Sequence, residues 1–462
     1  LHSFPTRRSS DLTEAFRLST AEEYGSMLRE LSRPEVFAGL DEAMQVTVRR
    51  NYRDYQRFQR VPQNFYTDYI TTSGRSEKVW EEAKRAGDFS LFAPSLDKMI
   101  AMTKEYVGYM EPDKDPYEVL LDMYEEGMDS AAIDAVFTEL KNGLLPLLSA
   151  IRAAGRPDLA SLKGTYDIEA QKKVQDLLLS YIGFDFDAGA AAESEHPFTT
   201  GLCHGDIRVT NHYNETLPLS SMFSAIHEGG HAIFEQNIDS AYINTAAEQV
   251  NLMGLHESQS RFYENILGRT PAFWTPLYGK LGELLPPFKA IPFDTFCRAI
   301  NDVHPSFIRT EADEVTYCLH IILRYEMEKA IFQENVPTDR LPALWNDKME
   351  ELLGIRPEND AEGILQDMHW SEGSFGYFPS YLLGSVYDGM FLNQIEKELG
   401  NLDCILEEGR IQEITAWLKE KIHRYGSMYN SREVIRRVCG GEVSAKPLLD
   451  YFRSKYSRIY GF

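Results

Sequence analysis

Residues 219–234 read LSSMFSAIHEGGHAIF and contain the pentad His227-Glu228-Gly229-Gly230-His231. Apolar side chains recur at helical spacing on both sides of the pentad, so this segment is predicted to be a helix. Residues four apart on a helix project to one face, and the two imidazoles can therefore share one zinc ion. Glu228, next to the first histidine, can then act as general base towards a metal-bound water.

The two glycines of the pentad do not favour a helix. Each costs about 1 kcal/mol relative to alanine in a helix interior. Gly229 and Gly230 therefore predict either close packing behind the metal or space for a substrate backbone, and the sequence leaves both interpretations open.

A zinc hydrolase needs a third protein ligand and a fourth position open to water. Glu257, in the run His256-Glu257-Ser258, is the predicted third ligand. It follows the pentad at a distance that leaves room for a loop and a second helix, although a helix glutamate taken alone is usually a surface residue. The candidates for holding the second nitrogen of each imidazole are Asp313, Glu314 and His256.

The rest of the chain predicts a mainly α fold. Apolar residues recur at three, four and seven along most segments, whereas strand-like alternation is scarce. The exception is residues 199–213, TTGLCHGDIRVTNHY, which predict a short β hairpin just before the pentad. Helix starts are predicted at Ser130 and at a capping-box-like pair, Thr310 and Asp313.

Residues 1–12, LHSFPTRRSSDL, resemble a translated cloning tail and are interpreted as non-native. The remaining residues, 13–462, contain no internal repeat or Gly/Ser-rich linker and are predicted to form a single helical domain.

The net charge and the cysteine content limit the kinds of binding partner and the cellular compartment that are expected for this chain. With 47 basic and 71 acidic side chains the formal net charge is -24, which would repel nucleic acid and an anionic membrane surface. A membrane span needs about 18 consecutive apolar residues, and no segment of the sequence provides them. The chain has five cysteines and no CxxC pair. This pattern argues against disulfides and favours a reducing compartment, the cytoplasm.

Several motifs, in order along the chain, resemble the carboxypeptidase Taq family of metallocarboxypeptidases. Together they are far more specific than the pentad, which many unrelated metallopeptidases share. Besides the pentad and His256-Glu257-Ser258, the matching motifs are His196-Pro197-Phe198, Asp206-Ile207-Arg208-Val209-Thr210, Ile308-Arg309 with Glu311-Ala312-Asp313-Glu314, and Gly363-Ile364-Leu365-Gln366-Asp367-Met368-His369-Trp370.

This resemblance implies that His227, His231 and Glu257 bind the metal and that Glu228 is the catalytic base. It implies a helical fold similar to neurolysin and the angiotensin-converting enzymes, with a long substrate groove and a homodimeric assembly. The implied activity is removal of single residues from the carboxyl end of peptides, with broad preference, poor action at proline, and zinc or sometimes cobalt as cofactor.

A carboxypeptidase must also capture the terminal carboxylate of its peptide, preferably with a bidentate arginine. Arg208 and Arg309 are the candidates, and for each the alternative is a structural ion pair with nearby acids. The sequence slightly favours Arg309.

Resemblance to the related helical peptidases suggests Tyr381 as the donor to the developing oxyanion, with Tyr377 helping to hold the substrate. Pro379 suits a helix start there, which would place both hydroxyls along one wall of the cleft. His369 is the expected second donor to the bound peptide, and Asp367 is expected to orient it.

Two other functions fit the same scaffold. One is an oligopeptidase that cuts internal bonds, and the other is a silent peptide-binding protein. Glu228 argues against the second, because a silent protein has little chemical use for a carboxylate beside the first ligand.

Overall fold

The computed structural model describes residues 5–157, 159, 162–249 and 252–462. In the first half of the chain the helices are α1 (Pro5–Ser19), α2 (Glu22–Leu31), α3 (Pro34–Phe37), α4 (Glu42–Phe58), α5 (Gln63–Ala86), α6 (Ala93–Met110), α7 (Pro116–Tyr124), α8 (Ser130–Ala154), α9 (Ile168–Ile182) and α10 (Pro218–Gln236).

The second half continues in the same way. Its helices are α11 (Met253–Arg261), α12 (Pro271–Trp274), α13 (Tyr278–Leu284), α14 (Phe293–Ala299), α15 (Glu314–Phe332), α16 (Leu341–Leu353), α17 (His369–Glu372), α18 (Phe378–Leu399), α19 (Leu402–Glu407), α20 (Ile411–Lys421), α21 (Ser431–Cys439) and α22 (Lys446–Tyr460). A π-helical segment, Phe262–Leu267, follows α11 directly. Short 3-10 turns lie at Phe89–Leu91, Ser240–Tyr242, Pro286–Ala290, Arg309–Glu311, Thr338–Arg340 and His423–Tyr425. The mainly α prediction is confirmed.

The predicted hairpin is present and forms part of a three-stranded sheet. Strands β2 (Thr199–Cys203) and β3 (Asp206–Asn211) pair antiparallel, and β1 (Gly189–Glu193) pairs parallel with β3, giving the order β1-β3-β2. The sequence of β1, GAAAE, contains neither β-branched nor aromatic residues, which is why its pattern does not predict a strand. The sheet contacts α10 through β2 and β3.

Helix α8 begins at Ser130 as predicted, whereas the predicted start of α15 at Thr310 needs correction. The cap of α8 is Asp129, whose carboxylate accepts from the backbone N–H of Ala132, and Ser130 is the first helical residue. The cap of α15 is Asp313, which accepts from the N–H groups of two residues in the first turn, whereas Thr310 lies in the preceding 3-10 turn. In each case the aspartate carboxylate supplies the oxygen that a cap requires.

One continuous apolar core runs through the described residues, from Phe16 on α1 to Tyr456 on α22. Helix α1 spans the predicted junction at residue 13, and the foreign origin of residues 1–12 stays a prediction. Within the described ranges, no helix combines the length and apolar character needed to cross a bilayer.

The pentad glycines allow neighbouring helices to approach α10. A Cβ at Gly229 would lie 2.6 Å from Ile182 Cδ1 of α9. A Cβ at Gly230 would lie 2.6 Å from the carbonyl oxygen of Gln259 and 2.8 Å from Cα of Ser260, both on α11. Of the two open interpretations, close packing therefore describes these glycines, with Gly229 packed against α9 and Gly230 against α11.

Candidate metal centre and substrate-binding wall

The three predicted metal ligands come together where α10 meets α11. Glu257 Oε2 lies 3.4 Å from His231 Nε2 and 3.8 Å from His227 Nε2. One ligand atom from each of the three residues lies within 4.8 Å of the others. Tetrahedral zinc with bonds of about 2.0–2.1 Å separates its ligand atoms by about 3.3–3.4 Å, so this donor set fits a divalent ion after small side-chain adjustments.

The charge of Glu257 suits a ligand. Burial opposes its ionisation, but the hydrogen bond with His231 and the charges of His227 and Arg261 lower the pKa of Glu257 to about 2. Arg261, one turn later on α11, places its Nη1 3.9 Å from Glu257 Oε1. The carboxylate is therefore ionised at neutral pH.

Glu264, which no sequence motif indicates, holds the second nitrogen of His227. It lies on the π-helical segment after α11, and its Oε2 accepts a hydrogen bond of 2.9 Å from His227 Nδ1. Burial opposes the ionisation of Glu264, but the bond from His227 and the nearby cations of Arg269 and Arg261 lower its pKa. A carboxylate in this position fixes the tautomer and orientation of a metal-binding imidazole.

The three residues predicted for that role have other partners. Asp313 caps α15, and Glu314 accepts a hydrogen bond of 2.5 Å from Lys455 Nζ in the core. The third candidate, His256, stacks on the ring of His231 with centroids 4.2 Å apart, while its Nε2 contacts Glu235 Oε1 at 3.1 Å. The prediction was wrong for all three residues. A helix N-terminus and a buried lysine bind the two acids, and His256 contacts Glu235 and does not bind the second nitrogen of either imidazole.

Glu228, the predicted base, is held from the sheet. Thr199 Oγ1 on β2 donates to Glu228 Oε2 at 2.7 Å, and the same hydroxyl lies 3.0 Å from the Glu228 carbonyl oxygen. Burial raises the pKa of Glu228, while the charge of His227 and the Thr199 hydrogen bond oppose that rise. Thr199 lies on the predicted hairpin, but its sequence pattern gives no sign of this contact.

Arg309 and Asp367 lie together in a buried charge cluster. Asp367 Oδ1 accepts from Arg309 Nη2 at 2.8 Å and from Arg309 Nε at 3.0 Å, and its Oδ2 accepts from Arg324 Nε at 2.7 Å. Arg309 also donates to the hydroxyl of Tyr317 at 3.3 Å, and its guanidinium lies 5.0 Å from the ring centre of Tyr381. The cluster has one carboxylate for two guanidinium groups.

This arrangement corrects the expectation that Asp367 orients His369. Its oxygens bind the two guanidinium groups instead, because two buried cations need an anion. The hydrogen-bond partner of His369 is Tyr381, whose hydroxyl lies 3.1 Å from His369 Nε2.

Arg208 is placed differently from Arg309. Its side chain is 52% exposed on β3, and it forms a bidentate pair with Asp206 at 2.8 and 2.9 Å. Both flanking residues on the strand, Ile207 and Val209, are buried, so Arg208 projects from the opposite face. The alternative of a structural ion pair therefore describes Arg208.

His369, Tyr377 and Tyr381 form one aromatic wall. The rings of His369 and Tyr377 stack with centroids 5.6 Å apart, and those of the two tyrosines are 4.9 Å apart. Tyr377 immediately precedes α18, and Pro379 lies in its first turn as predicted. Burial raises the pKa of Tyr381 well above its usual value, and burial together with two nearby arginines lowers the pKa of His369 to about 4. At neutral pH the phenol keeps its proton and the imidazole is uncharged.

The wall is held close to the metal ligands by the contact of α18 with α11. A Cβ at Gly384 of α18 would lie 2.9 Å from the carbonyl oxygen of Gly254 and 3.0 Å from the N atom of Ser258. The negative charge of Glu257 contributes to the raised pKa of both Tyr377 and Tyr381. The predicted base, the predicted metal ligands and the tyrosine hydroxyls thus lie in one site.

Comparison with known proteins identifies the family of the chain. A family model described as the carboxypeptidase Taq (M32) metallopeptidase matches residues 9–456. Over 450 residues the chain is 42% identical to carboxypeptidase 1 of Bacillus subtilis strain 168. The aligned region covers 97% of this chain and 89% of that protein. Solved structures are similar as well. The M32 carboxypeptidase from Deinococcus radiodurans R1 has a TM-score of 0.93 at 32% identity, with 99% of this chain and 92% of that chain covered. A Pyrococcus furiosus carboxypeptidase in the form named Apo-Mg has a TM-score of 0.91 at 35% identity, with 96% and 89% covered.

Proposed function

The chain belongs to the carboxypeptidase Taq (M32) family of metallopeptidases, and we propose that it releases single residues from the carboxyl end of peptides, with broad preference and poor action at proline. The observation that carries the proposal is one site with three parts. These are the ligand trio His227, His231 and Glu257, the base Glu228 beside it, and a buried arginine cluster across the aromatic wall.

Zinc is the proposed metal, with cobalt as a substitute. Two imidazole nitrogens and one carboxylate oxygen are a donor set that catalytic zinc sites use, with one position left for water. The bound ion would supply Lewis acidity and lower the pKa of a water molecule in the open position. Glu264 would keep His227 oriented towards that ion through its bond to Nδ1.

Glu228 would take the proton of the attacking water and later give it to the leaving amine. Its raised pKa favours proton uptake, and the Thr199 hydroxyl holds one carboxylate oxygen in place. Tyr381 would donate its phenolic proton in a hydrogen bond to the developing oxyanion, since the phenol stays protonated at neutral pH. His369 and Tyr377 would hold the bound peptide along the same wall.

Arg309 is the proposed partner of the substrate carboxylate. The cluster of Arg309, Arg324 and Asp367 has one more positive than negative charge, and a bound carboxylate would balance it. Arg309 sits against the ring of Tyr381, so a peptide end bound there would lie along the tyrosine wall. Arg208, exposed and paired with Asp206, has no place in this proposal.

Peptides with free and amidated carboxyl ends test carboxylate capture. We expect the purified protein to release the last residue of a free peptide, as detected by mass spectrometry, and to cleave the amide at least about a hundredfold more slowly, as expected for loss of a buried ion pair. Equal cleavage of both peptides would contradict carboxylate capture and favour the oligopeptidase, which cuts internal bonds.

Two variants separate the roles of the acids. Glu228→Gln is expected to keep the metal and lose about a hundred- to ten-thousandfold in kcat, because only the base is removed. Glu257→Ala is expected to lose the metal itself. Metal analysis of both purified proteins, combined with one peptide assay, checks this, and equal metal loss in the two variants would show that the assigned roles are wrong.

The proposal also includes a homodimer in the cytoplasm. All five cysteines are unpaired in the structure, which suits a reducing compartment. Light scattering on the purified protein tests the dimer, and a mass of one chain would contradict it.

A further inference from the structure

Helix α15 carries a row of buried polar side chains on one face. Tyr317, His320, Arg324 and Glu328 follow one another at spacings of three or four residues, so they project to the same side. Three of them bind residues of segments that lie outside the α-helices. Tyr317 accepts from Arg309, His320 Nε2 lies 3.1 Å from the carbonyl oxygen of Ser306, and Arg324 binds Asp367. This face of α15 therefore holds these segments in place.

Glu328 is the last member of this row and accepts three hydrogen bonds. Its Oε1 accepts from Trp370 Nε1 at 2.9 Å, and its Oε2 accepts from the backbone N–H of Gly376 at 3.0 Å and from the hydroxyl of Tyr117 at 3.0 Å. The side chain is fully buried, and burial raises its pKa to about 7 against the effect of these donors. Burying a carboxylate without hydrogen bonds is costly, so loss of any of the three bonds is unfavourable. The three donor groups are therefore held at fixed positions around Glu328.

The two segments that Glu328 binds flank the donors of the site. Trp370 directly follows His369, and Gly376 directly precedes Tyr377. Gly376 has φ +86°, and a Cβ there would lie 2.8 Å from the backbone of Leu120, so this turn has little freedom once its N–H is bound. Glu328 therefore holds both ends of the segment from His369 to Tyr377.

We propose that Glu328 is a positioning residue for catalysis, which aligns His369 and the tyrosine pair by binding the indole of Trp370 and the backbone of Gly376. This rests on the proposed function of His369, Tyr377 and Tyr381. Since these donors would act mainly on the transition state, misalignment should lower kcat more than it changes KM.

Two substitutions of Glu328 remove different numbers of its contacts. In Glu328→Gln one carbonyl oxygen can serve either the indole or Gly376, but not both. In Glu328→Leu both contacts are lost. We expect kcat to fall by about tenfold in the first and about a hundredfold in the second, with KM and bound metal nearly unchanged, because displacing a catalytic group by about 1 Å has effects of this size.

Hydrogen–deuterium exchange gives a readout that does not depend on activity. Exchange of backbone amides in residues 369–381 should rise in Glu328→Gln and rise further in Glu328→Leu. Leu406→Ala serves as the control, since Leu406 is fully buried on α19, which packs against α12. The control should lower the melting temperature without changing kcat or the exchange of residues 369–381.

The outcomes are distinguishable. Unchanged exchange of residues 369–381 in Glu328→Gln, or a kcat equal to that of the unaltered protein, would overturn the positioning role even where the leucine variant fails to fold. An equal fall of kcat in Leu406→Ala would overturn it as well. If the unaltered protein releases no terminal residue while exchange rises as expected, the proposed function fails and the structural hold of Glu328 on the segment stands.

Discussion

Thr199 contributes to the site through a single hydroxyl. That hydroxyl reaches from β2 to the carboxylate of Glu228 across 29 residues of sequence. A hydrogen bond to a charged group contributes about 1.5–3 kcal/mol. If this hydrogen bond orients Glu228 in the transition state, its loss would change kcat by about ten- to a hundredfold.

Thr199→Val removes the hydroxyl and keeps the shape of the side chain. We expect kcat to fall by about ten- to a hundredfold while the metal content is unchanged, as measured by steady-state kinetics and elemental analysis. Thr199→Ser keeps the hydroxyl and is expected to retain most of the activity. A valine variant as active as the serine variant would show that this hydrogen bond does not contribute to catalysis.

At the scale of helices, the pentad glycines provide a matched pair of substitutions. A Cβ at Gly230 meets backbone atoms of α11, which cannot rotate away, whereas one at Gly229 meets the flexible ends of Ile182 and Leu179. Overpacking of the first kind costs about 1–3 kcal/mol. In Gly229→Ala that cost is smaller and is offset by about 1 kcal/mol of helix propensity.

Gly230→Ala should therefore lower both the melting temperature and the affinity for metal, because it separates the helices that carry the ligands. Gly229→Ala should change both much less. Thermal unfolding and competition with a chelator measure the two effects. The reverse order would contradict the packing of α11 on α10 described above.

The elements differ in how far the sequence alone could predict them. The metal ligands of α10 were predictable because their spacing is local, and Glu257 followed from the need for a third ligand. Glu264 and Glu328 were not predictable, because their bonds join residues 37 and 42 apart along the chain. Only the packing of helices brings such pairs together. Strand β1 was missed because it depends on its neighbour β3 and not on its own residues.

At the scale of the whole molecule, Glu125 joins helices that are distant in sequence. It follows α7, is buried, and accepts from the N–H of Gly254 on α11 at 2.5 Å and from the hydroxyl of Tyr387 on α18 at 3.3 Å. Burial raises its pKa from 4.5 to about 7, although these donors oppose the rise. The folded protein therefore binds a proton here that the unfolded chain releases at lower pH.

A carboxyl group whose pKa is higher in the folded state than in the unfolded chain stabilises the folded state at low pH. This stabilisation is lost as the pH rises. The contribution of Glu125 is most favourable below pH 4.5, falls between 4.5 and about 7, and is constant above that. The neutral isostere in Glu125→Gln removes this dependence. We expect the melting temperature of the unaltered protein, relative to Glu125→Gln, to fall by about 2–5 °C between about pH 5 and about pH 8. A difference that stays constant or rises with pH would contradict the raised pKa.

The helix formed by α11 and its π-helical extension contacts both nitrogens of the His227 ring. Glu264 binds Nδ1 of His227, and Glu257 faces Nε2 of the same ring. Because Glu264 holds Nδ1, the other nitrogen of the ring, Nε2, faces Glu257 and the rest of the ligand trio. Binding of an ion by the trio would therefore require no flip of the His227 ring.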